Sequence, residues 1–126
     1  MATITAKQIN ETGLVHASGS AISYSQTSCN SGGDEFKNTG LEFIRIYNGH
    51  SGSQTVTVTA NGTTSLKNPV FGTITKSNVV KAVGAGNIAY LGPFHPFTFN
   101  DADGMVQITY SAVTALKIEV LYIDQL

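Results

Sequence analysis

The chain has 126 residues and a formal net charge of −1, and only 12% of its residues are charged, about half the share usual in soluble proteins. This length suits one domain with a modest core and excludes two separate cores. The near-neutral charge gives no argument for nucleic acid or a membrane, so we expect neither as a partner. A surface made largely of Thr, Ser, Asn, Gln and Gly instead suits protein–protein packing in a crowded assembly.

The first third of the chain predicts little regular structure. Residues 1–24 carry short apolar runs interrupted by glycines, which indicates either edge strands or an N-terminal arm that a partner orders. Residues 25–40 are mostly polar and contain Gly32-Gly33, which favours a loop. We therefore expect a long loop there, and long loops in small domains are often functional or mobile.

The strongest strand pattern lies at residues 41–47, where apolar side chains occupy both faces. Ile44 and Ile46 share one face, whereas Phe43 and Tyr47 share the other. Two apolar faces indicate a central strand, or a strand with one face against a partner subunit.

The middle of the chain predicts several more strands. Residues 54–60 alternate valine with threonine, and we expect them to form a hairpin with residues 41–47. Residues 70–75 predict another strand. Residues 79–83 and 88–91 flank a glycine-rich turn and predict a second hairpin.

Residues 91–111 carry the densest turn pattern and predict a strand, a tight turn and a strand. Pro93 and Pro96 fix φ and remove two N–H donors, which favours an extended, non-helical start. Residues 100–104 combine Asn and Asp side chains with a glycine and predict the turn. Residues 105–110 then alternate apolar with polar side chains, as a half-buried strand does.

A last alternating strand at residues 116–123 closes the pattern. The chain thus shows short strands separated by turns, and no convincing helix. We predict an all-β fold, an antiparallel β-sandwich or jelly roll of about eight strands, with residues 1–126 as a single domain.

No group of residues has the pattern of a catalytic or cofactor site. His16, His50 and His95 lack the close spacing of metal ligands. Asp101 and Asp103 resemble part of a calcium loop, but the chain turns apolar after them and lacks the closing glutamate. We therefore expect a non-enzymatic protein without a metal or cofactor, because a hydrolase would need His and carboxylate side chains to converge.

Cys29 is the only cysteine, so no intrachain disulfide is possible. We expect a passive thiol, because no histidine or basic residue adjoins it in the sequence. The sequence shows no secretory signal and no run approaching the roughly 18 apolar residues that span a bilayer. These features favour assembly in a reducing cytoplasm.

The C-terminal third resembles small structural proteins of tailed bacteriophages. The matching residues are Leu91-Gly92-Pro93-Phe94-x-Pro96, Phe99-Asn100-Asp101-x-Asp103-Gly104-x-Val106-x-Ile108-x-Tyr110-Ser111, Val113-Thr114 and Ile44-x-Ile46-x-Asn48-Gly49. These motifs are similar to those of head decoration, or capsid cement, proteins. The resemblance implies a β-sandwich that assembles as a homo-oligomer, often a trimer, on the capsid exterior. The major capsid protein would be its partner and the virion its location, after assembly in the host cytoplasm.

A protein of this kind needs anchors at its interfaces, and aromatic side chains are the usual ones. The candidate interface residues are Phe36, Tyr47, Phe94, His95 and Phe97. Core packing is the alternative for each of the aromatic residues.

The capsid contact is expected in residues 1–24 or in the loop at 25–40. An alternative function is a carbohydrate- or receptor-binding β-sandwich of a phage tail or fibre, since jelly rolls commonly carry lectin sites. The chain has no Trp for stacking on a sugar, so its five tyrosines would have to serve.

Overall fold

The structure is a computed structural model that describes residues 1–9, 26–63 and 65–123. These residues form almost only β-strands, with a single turn of helix. The elements are β1 (Ala2–Ile4), β2 (Lys7–Ile9), β3 (Thr27–Ser28), β4 (Asp34–Lys37), β5 (Glu42–Asn48), β6 (Gln54–Val58), β7 (Ser65–Asn68), β8 (Gly72–Thr75), β9 (Val79–Val83), β10 (Ile88–Leu91), α1 (Pro96–Phe99), β11 (Met105–Tyr110) and β12 (Leu116–Ile123).

Ten of these strands form a β-sandwich of two five-stranded sheets. Sheet 1 has the order β1-β4-β11-β6-β9, and sheet 2 has the order β10-β5-β12-β2, with β3 also paired to β12. Most neighbours are antiparallel, but β1 runs parallel to β4 and β2 runs parallel to β12. The predicted β-sandwich is confirmed, with twelve short strands in the described residues instead of about eight.

Both hairpins expected from the sequence are wrong, because each connection crosses from one sheet to the other. β5 lies in sheet 2 and β6 in sheet 1, and β9 lies in sheet 1 and β10 in sheet 2. Instead, β5 pairs with β10 and with the distant β12, and β6 pairs with β9 and β11. Long-range pairing therefore decides the topology.

The strand predicted at residues 41–47 is central, as one of its two alternatives stated. It lies between β10 and β12, and it buries Ile44 and Ile46 in the core. On its opposite face Arg45 forms an ion pair with Glu119 of β12, with both side chains buried. Burial of this pair requires mutual neutralisation, because an isolated buried charge is costly.

The long loop expected at residues 25–40 is wrong, because both β3 and β4 lie within this range. β4 occupies residues 34–37 and buries Asp34 and Phe36, whereas Lys37 is exposed. It pairs with β11 on one side and with β1 on the other. The sequence pattern missed it because an aspartate takes one of its two buried positions.

The extended, non-helical start expected for residues 91–111 is wrong at residues 96–99, because these residues form α1. Pro96 sits in the first turn of this helix, where its missing N–H costs nothing. The Nδ1 atom of His95 accepts the N–H of Phe97 at 3.2 Å and caps the turn.

The described part of the N-terminal segment matches one of its two alternatives. Residues 1–9 supply the edge strands β1 and β2. The other apolar runs expected within residues 10–24, with His16, lie outside the described residues. No helix in the described ranges has the length and apolar character needed to cross a membrane.

The core lies between the two sheets and contains a cluster of three phenylalanines. The ring of Phe94 lies 6.2 Å from that of Phe36 and 5.3 Å from that of Phe99, measured between centroids. Phe94 is 2% exposed, whereas Phe97, three residues away, is 53% exposed. Aromatic rings at these separations add to the stability gained from burial alone.

We expect Phe94→Ala to lower the free energy of unfolding by about 3–5 kcal/mol, because it leaves a cavity between two rings. The matched control Phe97→Ala should cost about 0.5 kcal/mol or less, because that ring is largely in solvent. Urea denaturation followed by circular dichroism measures both values. Equal losses for the two variants would contradict this packing.

Candidate protein-binding surface

The hairpin formed by β7 and β8 (residues 65–75) pairs with neither sheet in the described structure. Its register joins Ser65 to Thr75 and Asn68 to Gly72. Pro69 presets φ at the start of the three-residue loop, and Gly72 takes a positive φ of 82° at its end. The local sequence thus specifies a hairpin without help from the sandwich.

This hairpin exposes four large apolar side chains. Leu66 and Ile74 lie opposite each other and are 51% and 57% exposed. Val70 and Phe71 lie in the loop and are 80% and 81% exposed. A cluster of exposed apolar side chains is typical of a surface that binds another protein.

Among the described residues, two hydrogen bonds attach the base of the hairpin to α1, and a third joins the chain segments before and after the hairpin. The N–H groups of Gly62 and Thr63 donate to the carbonyl oxygens of Thr98 and Phe97, each at 2.8 Å. The N–H of Ala60 donates to the side-chain oxygen of Asn78 at 2.9 Å. The hairpin therefore leaves the sandwich beside α1. Phe97, whose ring is exposed, accepts one of these hydrogen bonds through its backbone carbonyl.

The hairpin and the strand after it are basic. Lys67, Lys76 and Lys81 are exposed, and the sequence has no acidic residue between Glu42 and Asp101. A partner of this surface should therefore combine apolar groups with negative charge.

The structure separates the five candidate interface residues into three groups. Phe36 and Phe94 are wrong as surface anchors, because both are buried in the core of the sandwich. His95 and Phe97 are exposed beside the hairpin, with their rings 6.5 Å apart. Tyr47 is half-buried on the outer face of sheet 2, between Ile88 and Lys117. An interface role for the last three residues stays a prediction.

The sequence pattern did not identify the hairpin residues that are now the main candidates. It predicted a strand at residues 70–75, of which residues 72–75 form β8. The available signal was the spacing of Leu66 and Ile74 around a turn that contains Pro and Gly. The residues around them do not continue an apolar alternation of the kind that marks a strand in the core. That pattern describes a hairpin with one apolar face and no core beneath it.

A polar cleft of about 490 Å³ lies on the opposite side of the sandwich from β9 and β10. It is lined by Ala2, Thr3, Ile4, Thr5, Lys7, Thr27, Ser28, Asn30, Asp34, Glu119 and Val120. At its edge, the carboxylate of Asp34 accepts the Tyr110 hydroxyl at 2.7 Å and the Asn30 N–H at 3.1 Å. Among the described residues, no three His, Cys, Asp or Glu side chains form a group that could hold a metal ion.

Cys29 is buried next to this cleft. Burial raises the pKa of its thiol from 9.0 to about 12, with a smaller contribution from the charge of Asp34. Burial likewise raises the pKa of Tyr110 far above its ordinary value. Both groups are therefore protonated at neutral pH, and the Cys29 thiol is not activated as a nucleophile.

Comparison with known proteins identifies no relative. No protein-family model matches the chain, and no curated protein or solved structure matches it significantly. The resemblance to head decoration proteins therefore rests on the sequence motifs alone and stays a prediction.

We expect the stability of the protein to fall as the pH rises above about 9. The Cys29 thiol ionises near pH 9 in the unfolded chain but only near pH 12 in the folded protein, so the folded state binds more protons between these values. Urea denaturation from pH 8 to pH 10.5 should show this loss, and the loss should be smaller in Cys29→Ala, which keeps Tyr110. Equal slopes for the two proteins would contradict the raised pKa.

We expect Gly62→Ala to detach the hairpin from the sandwich. A Cβ atom at this position would lie 2.3 Å from the carbonyl oxygen of Phe97, so both hydrogen bonds at the base must break. Hydrogen exchange should rise in residues 65–75 and stay unchanged in β5 and β12. In the control Gly52→Ala the new Cβ approaches only the His50 ring, at 3.5 Å, and exchange in the hairpin should not change.

Proposed function

We propose that this protein is a non-enzymatic structural subunit that binds neighbouring protein surfaces through the hairpin of residues 65–75. The observation that carries the proposal is the exposure of Leu66, Val70, Phe71 and Ile74 on an element outside both sheets. With the motif resemblance, this surface favours a capsid decoration protein of a tailed phage. Its partners are then the major capsid protein and further copies of itself on the virion exterior.

The energetics of such a surface suit an assembly with many copies. Burying one large apolar side chain is worth about 1.5–3 kcal/mol, so the four together supply several kcal/mol for each hairpin. The hairpin already has its turn and register in the unbound chain, so little further ordering opposes binding. Symmetry then repeats the same contact around the assembly.

The carbohydrate- or receptor-binding alternative has less support. The polar cleft is rich in hydroxyl groups, but none of its described lining residues is a tyrosine. Sugar binding usually combines polar groups with an aromatic ring for stacking, and the chain has no Trp.

The test compares two faces of the hairpin. Leu66→Ser/Ile74→Ser removes the apolar pair, and the control Thr73→Ala/Thr75→Ala changes the opposite face of β8. We expect wild type and the control to cosediment with expanded, undecorated heads of the phage that carries the chain. The apolar variant should bind at least tenfold more weakly.

Circular dichroism and urea denaturation should show that all three proteins keep the sandwich. Absence of wild-type binding to the heads would contradict the capsid proposal. Binding of Leu66→Ser/Ile74→Ser at wild-type strength would contradict the role of the hairpin.

A further inference from the structure

Charge is unevenly distributed along this chain. Lys67, Lys76 and Lys81 lie on or beside the hairpin with no acidic residue near them in sequence. The rest of the chain keeps four basic and eight acidic residues, a net charge of −4. One molecule thus carries a basic, apolar surface together with an excess of acid elsewhere.

The acidic counterpart includes the turn before β11. Asp103 is exposed in this turn, and Asp101 accepts hydrogen bonds from the N–H groups of Asp103 and Met105 and from the side chain of Gln107. These bonds hold the turn in one conformation and lower the pKa of Asp101, so its charge persists at neutral pH. Glu35 of β4 lies opposite Gln107 in the sheet.

The acidic surface is built from Glu35, Asp101 and Asp103, with Lys37 as its basic neighbour. The Nζ atom of Lys37 donates to the Asp103 carbonyl oxygen at 3.0 Å, which leaves a local net charge of −2. Half-buried Met105 lies beside them. Methionine adapts its shape to irregular apolar partners, so this surface offers both an apolar contact and negative charge.

The hairpin base and the acidic surface lie at the same end of the sandwich. β6 is antiparallel to β11, and the N–H of Thr59, just after β6, donates to the carbonyl oxygen of Gln107. The chain enters the hairpin directly after this point. A second copy that approaches this end of the sandwich can therefore meet both surfaces.

We propose that the hairpin of one copy docks on the Glu35–Asp101–Asp103 surface of a second copy. Leu66 and Ile74 pack against Met105, and Lys76, two residues after Ile74, pairs with the carboxylates, whereas Lys67 lies opposite Thr73 on the other face of the hairpin. The contact joins two different patches, so it is head-to-tail and closes into a ring when its rotation allows. This inference rests on the proposed function and assigns the partner of the same surface.

The test is a charge exchange measured by sedimentation velocity. At 50 mM salt we expect wild type to self-associate, and at 500 mM salt the association should weaken at least tenfold, because salt screens exposed charges. Lys76→Glu and Glu35→Lys/Asp103→Lys should each weaken it at least tenfold. Mixed together, these two variants should associate with each other, because the opposite charges are restored across the contact.

Two controls make the result specific. Lys67→Glu, on the opposite face of the hairpin, and Lys7→Glu, on β2, make the same charge change, and each should leave association within twofold of wild type. Circular dichroism should show the same folded signal for every variant.

The outcomes separate this inference from the proposed function. The inference would be overturned if the wild type stayed strictly monomeric at about 0.5 mM, a concentration at which even a weak contact forms. It would also be overturned if the two charge variants did not associate when mixed. If the monomeric protein still cosediments with phage heads, the proposed function stands and only the self-docking fails. If the copies associate as described but do not bind heads, the self-docking stands and the capsid proposal fails.

Discussion

The topology of this sandwich depends on one buried asparagine. Asn48 ends the central strand β5 and has no exposed surface. Its side-chain nitrogen donates to the carbonyl oxygens of Gly52 and Val83, at 2.8 and 2.9 Å, and its side-chain oxygen accepts the N–H of His50 at 3.0 Å. Its backbone exchanges hydrogen bonds with Gly86 and Asn87. One residue thus satisfies polar groups in the β5–β6 and β9–β10 connections, which both cross between the sheets. Loss of the Asn48 side chain would leave several of these groups unpaired in the interior.

These crossings explain which strands become neighbours. Because the chain changes sheets after β5 and again after β9, β6 and β9 are free to pair with each other in sheet 1. The hairpin of residues 65–75 is the segment between them, and it emerges where β6 ends and β9 begins. Its position at one end of the molecule therefore follows from the buried contacts that set the topology, whereas its apolar side chains stay outside the core.

The sequence predicted the local character of the strands better than their partners. Alternation identified β6, β11 and β12 and the central position of β5, because a period of two reports which side chains face the core. It did not reveal that Asn48-Gly49 begins a connection to the other sheet and not a hairpin turn. The side chain of Asn48 bonds to distant Val83 as well as to its near neighbours, and a local pattern does not show such a contact. It missed β4 because buried Asp34 accepts a hydrogen bond from Tyr110, 76 residues away. It named Phe36 and Phe94 as candidate interface residues with core packing as the alternative, because a phenylalanine looks alike in the sequence whether it packs in the core or against a partner. The sequence did not identify the hairpin as a surface element. Its leucine and isoleucine are exposed because no sheet covers them, and only the topology shows this.

The register of β6 and β9 has a consequence for how this surface can change. Val58 and Val79 are directly paired, although twenty residues separate them along the chain. The segment between β6 and β9 thus begins and ends at adjacent points. A short turn would connect these two strands equally well. The length and side chains of this segment can therefore change while the core of the sandwich stays the same. The sandwich acts as a constant scaffold, and the segment is a variable insertion in it.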